Sequence, residues 1–363
     1  MLQFDFEALS ALGLTPALAA SAAAMEAELR TAGAHWQLVR VTEVHRETIA
    51  VHDGRDPRDA RALPRLLRTL LEQGTALCVG DWALASVDDH GQCWVAHRVP
   101  PQSRLARRDG DGRLHPVVSN VDVALLVMGL DDDFNPRRLE RFLALVHDDA
   151  IVPVVVLTKL DVAGAASLDA RLALLRGRIP AAVDVHAVNA TEAGAAAALR
   201  DYCDRGRTLV LLGSSGAGKS TLTNTLLGAP VQDTGAVREH DGRGKHTTTS
   251  RSLHRLPGGA CIIDTPGVRT LRPDGDASAI AGSFGDIESL ASRCRFTDCG
   301  HEHEPGCAVR DGVDADRLRN YHKLLREMRR DTLTPLDRQR QVAGYKARGR
   351  AVREQMKRKR GEA

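Results

Sequence analysis

No apolar run in this sequence approaches the roughly 18 residues that a membrane-spanning helix needs, so no membrane partner is expected. The N-terminus lacks the basic start of a secretory signal: Asp5 and Glu7 come first, and Arg30 is the first basic residue. A cytoplasmic location is therefore expected. The chain has only seven cysteines, which in that compartment read as thiols or metal ligands rather than disulfides. Cys78, Cys93, Cys203 and Cys261 lie scattered in apolar or mixed stretches and read as small buried hydrophobes. No internal repeat is visible. Net charge is nearly absent at +3, although 27% of the residues are charged, so only local charge runs bear on partners.

What is present is a chain of 363 residues, 43% hydrophobic, long enough for two or three domains with real cores. Residues 1–35 are rich in Ala and Leu and read as a short helical arm. Over 36–110 the pattern becomes short alternating stretches, such as Gln37 to Val41 and Trp82 to Val87, with turns at Asp53-Gly54 and Val79-Gly80-Asp81. Such a rhythm predicts a small β-barrel or sandwich, interrupted by an Arg-rich insert from Arg55 to Arg68 expected as helix or loop. Over 111–273 four apolar runs (Val121 to Leu130, Ile151 to Leu157, Thr208 to Leu212, Ala260 to Ile263) mark strands buried on both faces. Leu139, Phe142, Leu143 and Val146 recur at helical spacing between the first two, which makes this part α/β. Residues 274–363 hold a Cys/His cluster, a helix with Leu318, Tyr321, Leu325 and Met328 on one face, and a strongly basic end from Arg338 to Arg360.

Gly213-Ser214-Ser215-Gly216-Ala217-Gly218-Lys219-Ser220 fits G-x-x-x-x-G-K-S/T, with Thr221 continuing it. The glycines let the backbone curl its N–H groups toward phosphate oxygens. Lys219 supplies a charge for the outer phosphates, Ser220 a hydroxyl for Mg²⁺, and the helix starting near Lys219 its N-terminal dipole. About forty-five residues on, Asp264-Thr265-Pro266-Gly267 gives D-x-x-G after a strand: a carboxylate to hold Mg²⁺ through water, and a Gly N–H to sense a γ-phosphate. Between them, Gly244 to Thr249 reads as a switch loop in which Thr248 is a candidate Mg²⁺ ligand.

The base-reading element lies upstream. Thr158-Lys159-Leu160-Asp161, at the end of an apolar strand, matches N/T-K-x-D. A carboxylate such as Asp161 accepts from the guanine N1–H and amino group, and would go unpaired against adenine. Asn189-Ala190, after another short apolar run, is a candidate supporting loop near the guanine oxygen. The order of base motif before phosphate loop is a circular permutation of the usual one. A parallel sheet tolerates this because the site is built from strand-end loops. Residues from about Ala193 to Arg207 would join the ends that the permutation closes.

Cys294, Cys299, His301 and Cys307 give C-x4-C-x-H-x5-C, three thiolates and an imidazole suited to a closed tetrahedral zinc site. His303 competes with His301 as ligand. Four ligands leave no open position for catalysis, so the ion is expected to be structural.

With these motifs in this order, and Val79-Gly80-Asp81-Trp82 in the first part, the chain resembles the family of ribosome small subunit-dependent GTPases A, over nearly its whole length. The resemblance implies an N-terminal OB-fold, a permuted α/β P-loop GTPase domain and a C-terminal zinc-binding helical domain. It implies hydrolysis of GTP to GDP and phosphate, stimulated by the small ribosomal subunit, during late maturation of that subunit. Its partners would be the subunit with its rRNA and GTP or GDP, and the basic tail fits rRNA phosphates. A monomer is the default.

Ras-like enzymes carry a Gln after D-x-x-G to orient water. Val268 stands there in this chain, so slow intrinsic hydrolysis is expected. The resemblance makes His246 the candidate for positioning water or stabilising the transition state. Thr158 replaces the usual Asn, and Asn189-Ala190 stands where Ser-Ala is common. Competing readings are a nucleotide-sensing RNA-binding assembly factor with little turnover, an enzyme acting on a small molecule, and a zinc-finger DNA-binding regulator. The intact Lys219, Ser220 and Asp264 speak against the first. No second-substrate motif supports the second, and the cluster lacks the spacing the third requires.

Overall fold

A computed structural model describes residues 4–29, 35–45, 48–108, 114–147, 151–231, 251–265 and 277–331. Two short helices open the chain, α1 (Phe6–Ser10) and α2 (Pro16–Glu28). Asp5 and Thr15 cap them by accepting from the backbone N–H of Ala8 and Leu18, and Pro16 sits at the first turn of α2, where no N–H is needed. The arm is not free. Leu9, Leu12, Leu14 and Leu18 are buried in the main core with Trp82, Val118, Val210 and Ile263.

Five strands follow: β1 (Gln37–Val44), β2 (Ile49–His52), β3 (Pro57–Ala62), β4 (Trp82–Val87) and β5 (Cys93–Arg98), with α3 (Pro64–Glu72) between β3 and β4. They pair β1–β2, β2–β3, β3–β5, β5–β4 and β4–β1, closing a barrel in OB order with only β3–β5 parallel. Its interior is filled by alternate residues, among them Val39, Val41, Val51, Ala83, Ala85 and Val95, capped by Leu66 and Leu70 of α3. The Arg-rich insert, expected as helix or loop, is a strand and then a helix. In β3 only Ala60 is fully buried, so the strand carries no alternating signal, and Pro64 starts the helix.

A hairpin of β6 (Arg104–Arg108) and β7 (Leu114–Ser119) leads to the second sheet. Its strands are β8 (Val123–Gly129), β9 (Val152–Thr158), β10 (Asp184–Ala187), β11 (Thr208–Leu212), β12 (Ser252–Arg255) and β13 (Cys261–Asp264). They lie in the order β10-β9-β8-β11-β13-β12, parallel except for β12. Alternate residues of β8 serve opposite faces. Ala124, Leu126 and Met128 meet α4 (Pro136–His147) and α5 (Ala165–Arg176); Val123, Leu125 and Val127 meet α6 (Ala193–Ala198) and α7 (Lys219–Leu227). Four C-terminal helices, α8 (Ala277–Ser283), α9 (Gly285–Ala291), α10 (Ala308–Gly312) and α11 (Ala315–Asp331), enclose Ile280, Phe284, Ile287, Val309 and Leu324, and share Ala144 of α4.

Two joints fix the barrel to the sheet. β1 pairs with β12 at Glu43 and Ser252, so the two sheets run together. Beside it, the wholly buried Arg40 donates to the Leu12 carbonyl, to Thr208 Oγ1 at 2.9 Å and to the Asn120 carbonyl at 3.0 Å, with its guanidinium over the Trp82 ring. Gly80 explains part of the Val79–Trp82 motif. Its φ is +95°, and a Cβ there would meet the Ser119 carbonyl at 2.1 Å. The buried Asp81 that follows accepts from Ser119 Oγ at 2.7 Å and Cys78 N at 2.9 Å.

Candidate nucleotide and metal sites

Strands β8, β9, β10, β11 and β13 end on one edge of the parallel sheet, where ligand sites of open α/β sheets form. The phosphate-loop motif leaves β11 there. Gly213 passes so close to β8 that a Cβ would lie 2.4 Å from the Val127 carbonyl. Gly218, at φ +89°, caps α7 and would press a Cβ against Thr158. Lys219 is buried and curls back on its own loop, donating to the carbonyls of Gly213 at 3.1 Å and Ser214 at 2.7 Å. Burial lowers its pKa, opposed by the nearby Asp264 and Asp133 carboxylates. Burial raises that of Asp264, partly offset by Lys219 and His254. Thr265 anchors the end of β13 by donating to the Leu211 carbonyl at 2.7 Å.

The Thr158–Asp161 motif meets this loop directly. Buried Thr158 donates its hydroxyl to the Ala217 carbonyl at 2.6 Å, a residue 59 positions later. Lys159 adopts a left-handed backbone with φ 59°, unusual for a long side chain, and starts the short turn Leu160–Val162. That turn leaves Asp161 exposed at the rim. Val188 N donates to the Leu157 carbonyl, setting Asn189-Ala190 beside the motif. The Ala190 carbonyl accepts from Thr225 Oγ1 of α7 at 2.6 Å. Asn189 closes its own turn, accepting from Thr191 and donating to Glu192. Thus Thr158–Asp161, Asn189-Ala190, Gly213–Thr221 and Asp264 gather on one edge. Gly267, Val268 and the Gly244–Thr249 loop with His246 and Thr248 lie outside the described residues, as does the basic tail.

Sequence reasoning missed the loop after β8. Asp131 Oδ2 accepts from Lys159 Nζ at 2.6 Å, and Asp133 Oδ1 accepts from Ser214 Oγ at 2.5 Å. A run of three carboxylates at the end of a wholly buried strand was the available signal.

The C-terminal cluster is also assembled. The ligand atoms of Cys294, Cys299, His301 and Cys307 all lie within 4.8 Å of one another. Cys294 and Cys307 sulfurs are 3.9 Å apart, and His301 Nδ1 is 3.6 and 3.5 Å from them. A tetrahedron with metal–sulfur bonds of roughly 2.3 Å has an edge of about 3.8 Å, so the donor set fits one metal ion. His303 is not in the group. Glu304 shapes the turn by accepting from the backbone of Gly300, Glu302 and His303; its own backbone N–H first, then these, hold its carboxyl down at about 2.

Comparison with known proteins gives one consistent answer. The family model described as RsgA GTPase matches residues 98–273. The Small ribosomal subunit biogenesis GTPase RsgA of Xanthomonas axonopodis pv. citri is 46% identical over 297 residues, covering 80% of either chain. Its counterpart from Xanthomonas oryzae pv. oryzae is 46% identical over 293 residues, covering 78% of this chain and 79% of its own. Among solved structures, YjeQ from Thermotoga maritima superimposes with a TM-score of 0.59 at 21% identity, over 81% of this chain and 98% of that one. YloQ, a circularly permuted GTPase, gives 0.57 at 20% identity, over 84% and 99%. These two likenesses concern the fold.

Proposed function

We propose a function from one established premise: the chain belongs to the RsgA GTPase family and is a GTP hydrolase. Its target is the small ribosomal subunit, where it acts in late maturation and is stimulated to hydrolyse GTP by that subunit. The observation that carries the nucleotide reading is the bond from Thr158 to Ala217. It welds a guanine-type motif to a phosphate loop although the chain order is permuted.

In this reading Asp161 takes the guanine N1–H and amino group, and the Lys159 stem covers the base. Asn189 and Ala190 support the guanine oxygen. The backbone from Gly213 to Thr221 and Lys219 hold the phosphates. Lys219, already curled over the loop, needs only to exchange the Gly213 and Ser214 carbonyls for phosphate oxygens. Ser220, Thr248 and, through water, Asp264 would hold Mg²⁺, which when bound offsets charge on the phosphates. Gly267 would sense the γ-phosphate. With Val268 in place of a Gln, water must be oriented from elsewhere, and His246 is the candidate. Cys294, Cys299, His301 and Cys307 would hold a structural Zn²⁺ that organises α9 and α10.

The division into a helical arm (1–35), OB-fold (36–110), permuted GTPase domain (111–273) and zinc-binding domain with basic tail (274–363) belongs to the same proposal. So do rRNA binding by barrel and tail, a cytoplasmic location and a monomeric state. Among the described residues no helix is long and apolar enough to cross a membrane. The test is GTP turnover by the purified chain, with and without small ribosomal subunits. Strong stimulation with ATP inert is expected. Tight GTP binding with no stimulation would defeat the ribosomal part of the reading.

A further inference from the structure

The loop joining β8 to α4 reaches two nucleotide-binding elements at once. Asp131 pairs with Lys159 Nζ at 2.6 Å, and Asp133 accepts from Ser214 Oγ at 2.5 Å. The loop is held by further contacts, within itself and to α4 and α5. Gly129 N donates to Asp133 Oδ2 at 3.1 Å, and Asp133 N donates to Asp131 Oδ1 at 3.2 Å. Arg138 pairs with Asp133 at 2.6 Å from the first turn of α4. Arg171 of α5 donates to the Leu130 carbonyl and lies over the Phe134 ring at 5.0 Å. A Cβ on Gly129 would run into Asp131 Oδ1, so any side chain there would push that carboxylate aside.

We propose that Asp131 and Asp133 are positioning residues of the nucleotide site, Asp131 setting Lys159 for the base and Asp133 setting Ser214 and hence the phosphate loop. A lysine stem has four rotatable bonds, and ordering it on binding costs entropy. Pairing its ammonium to a braced carboxylate orders the stem beforehand. Ser214 likewise opens a loop whose N–H groups must converge on phosphate, and a charge-assisted hydrogen bond fixes its first turn. One rigid loop thereby registers the base-reading and phosphate-binding elements against each other. The permuted chain places these on segments separated by α5, β10 and α6.

This inference rests on the assignment of Lys159 and the phosphate loop as nucleotide contacts, and the experiment separates the two. GDP affinity is measured on the full chain by titration calorimetry, with thermal unfolding of every variant. Asp131→Asn and Asp133→Asn are each expected to raise the Kd for GDP by about fivefold to tenfold, the loss of one charge-assisted contact at a partly exposed site. The decisive readout is coupling. Asp131→Asn should have no further effect in a Lys159→Met background, which keeps the stem but removes the charge. Asp133→Asn should lose most of its effect in a Ser214→Ala background, the remainder being the Arg138 pairing that it also gives up. Additive losses in both backgrounds would mean that the carboxylates act only through general stability, and would overturn the proposal. Lys219→Ala is the control: if it leaves GDP binding unchanged, the site assignment itself falls and the proposal with it. A weakened Lys219 variant beside uncoupled aspartates would sink the positioning role alone.

Discussion

Thr158 Oγ1 lies 2.6 Å from the carbonyl oxygen of Ala217, and both residues are wholly buried. The position is the one at which most GTPases carry Asn, and the shorter threonine still ties the base motif to the phosphate loop. Thr158→Val keeps the shape but leaves the Ala217 carbonyl without this donor, at a cost of about 1–3 kcal/mol. Lower unfolding stability and a higher Kd for GDP are expected together. Wild-type values for both would show that the bond carries no weight.

The motifs that spacing alone could locate are those whose residues are contiguous: Gly213–Thr221, Thr158–Asp161 and the Cys/His cluster. Each brings its chemistry in one short segment, and the flanking apolar strands place it at a sheet end. What sequence could not supply were partners remote along the chain. Asp131 finds Lys159 at a separation of 28 residues and Asp133 finds Ser214 at 81, so in isolation they look like a solvated acidic turn. Arg40 looks like an ordinary polar residue of a strand until Thr208, 168 residues on, is folded against it. The Arg55–Arg68 insert hid a strand because most of β3 is exposed, and hydrophobic periodicity registers only buried faces.

Asp264 should subtract from the stability of the nucleotide-free protein as pH rises. Burial raises its folded pKa above the ordinary Asp value. Such a group stabilises the fold below its unfolded pKa, and that contribution is lost as pH climbs through the folded one. Asp264→Asn should remove this part of the slope and leave the empty protein at least as stable at neutral pH, while weakening Mg²⁺-dependent GTP binding. Unfolding midpoints of both proteins across the acid-to-neutral range check this; parallel curves would count against it.

Removing the metal should act locally. Cys294→Ser takes one sulfur from a cluster whose buried member, Cys307, also starts α10 and packs with Val309 and Ile287. Metal content, read by elemental analysis, is expected to be one ion per chain in the wild type and near none in the variant. Hydrogen exchange should speed up in α9 and α10 and stay unchanged in β8 and β9. Uniform acceleration through the sheet would contradict a locally structural ion.

Glu140 ties the C-terminal helices to the GTPase sheet through α4. Its wholly buried carboxylate accepts from Arg178 Nε and Arg317 Nη1, both at 2.8 Å, and from Asn320. Arg317 also grips Asp286 at 2.6 Å and donates to the carbonyls of Arg178 and Ser283. Removing one member of a buried pair strands the other charge, typically at about 3–5 kcal/mol. Glu140→Ala should therefore destabilise the chain by roughly that amount, and Glu140→Gln by less, since an amide can still accept from one arginine. Glu140→Met combined with Arg317→Met should cost less than the sum of the singles, because the contact between these two is lost only once, although Arg178 and Asp286 each still lose a partner. Denaturant unfolding of these variants, and of the Glu140→Met and Arg317→Met singles, measures this. Exchange rates in α11 locate it, because release of this clamp frees α11 from α4 before the sheet itself opens. If Glu140→Ala unfolds at the wild-type midpoint with α11 still protected, the clamp is not what holds the C-terminal helices in place.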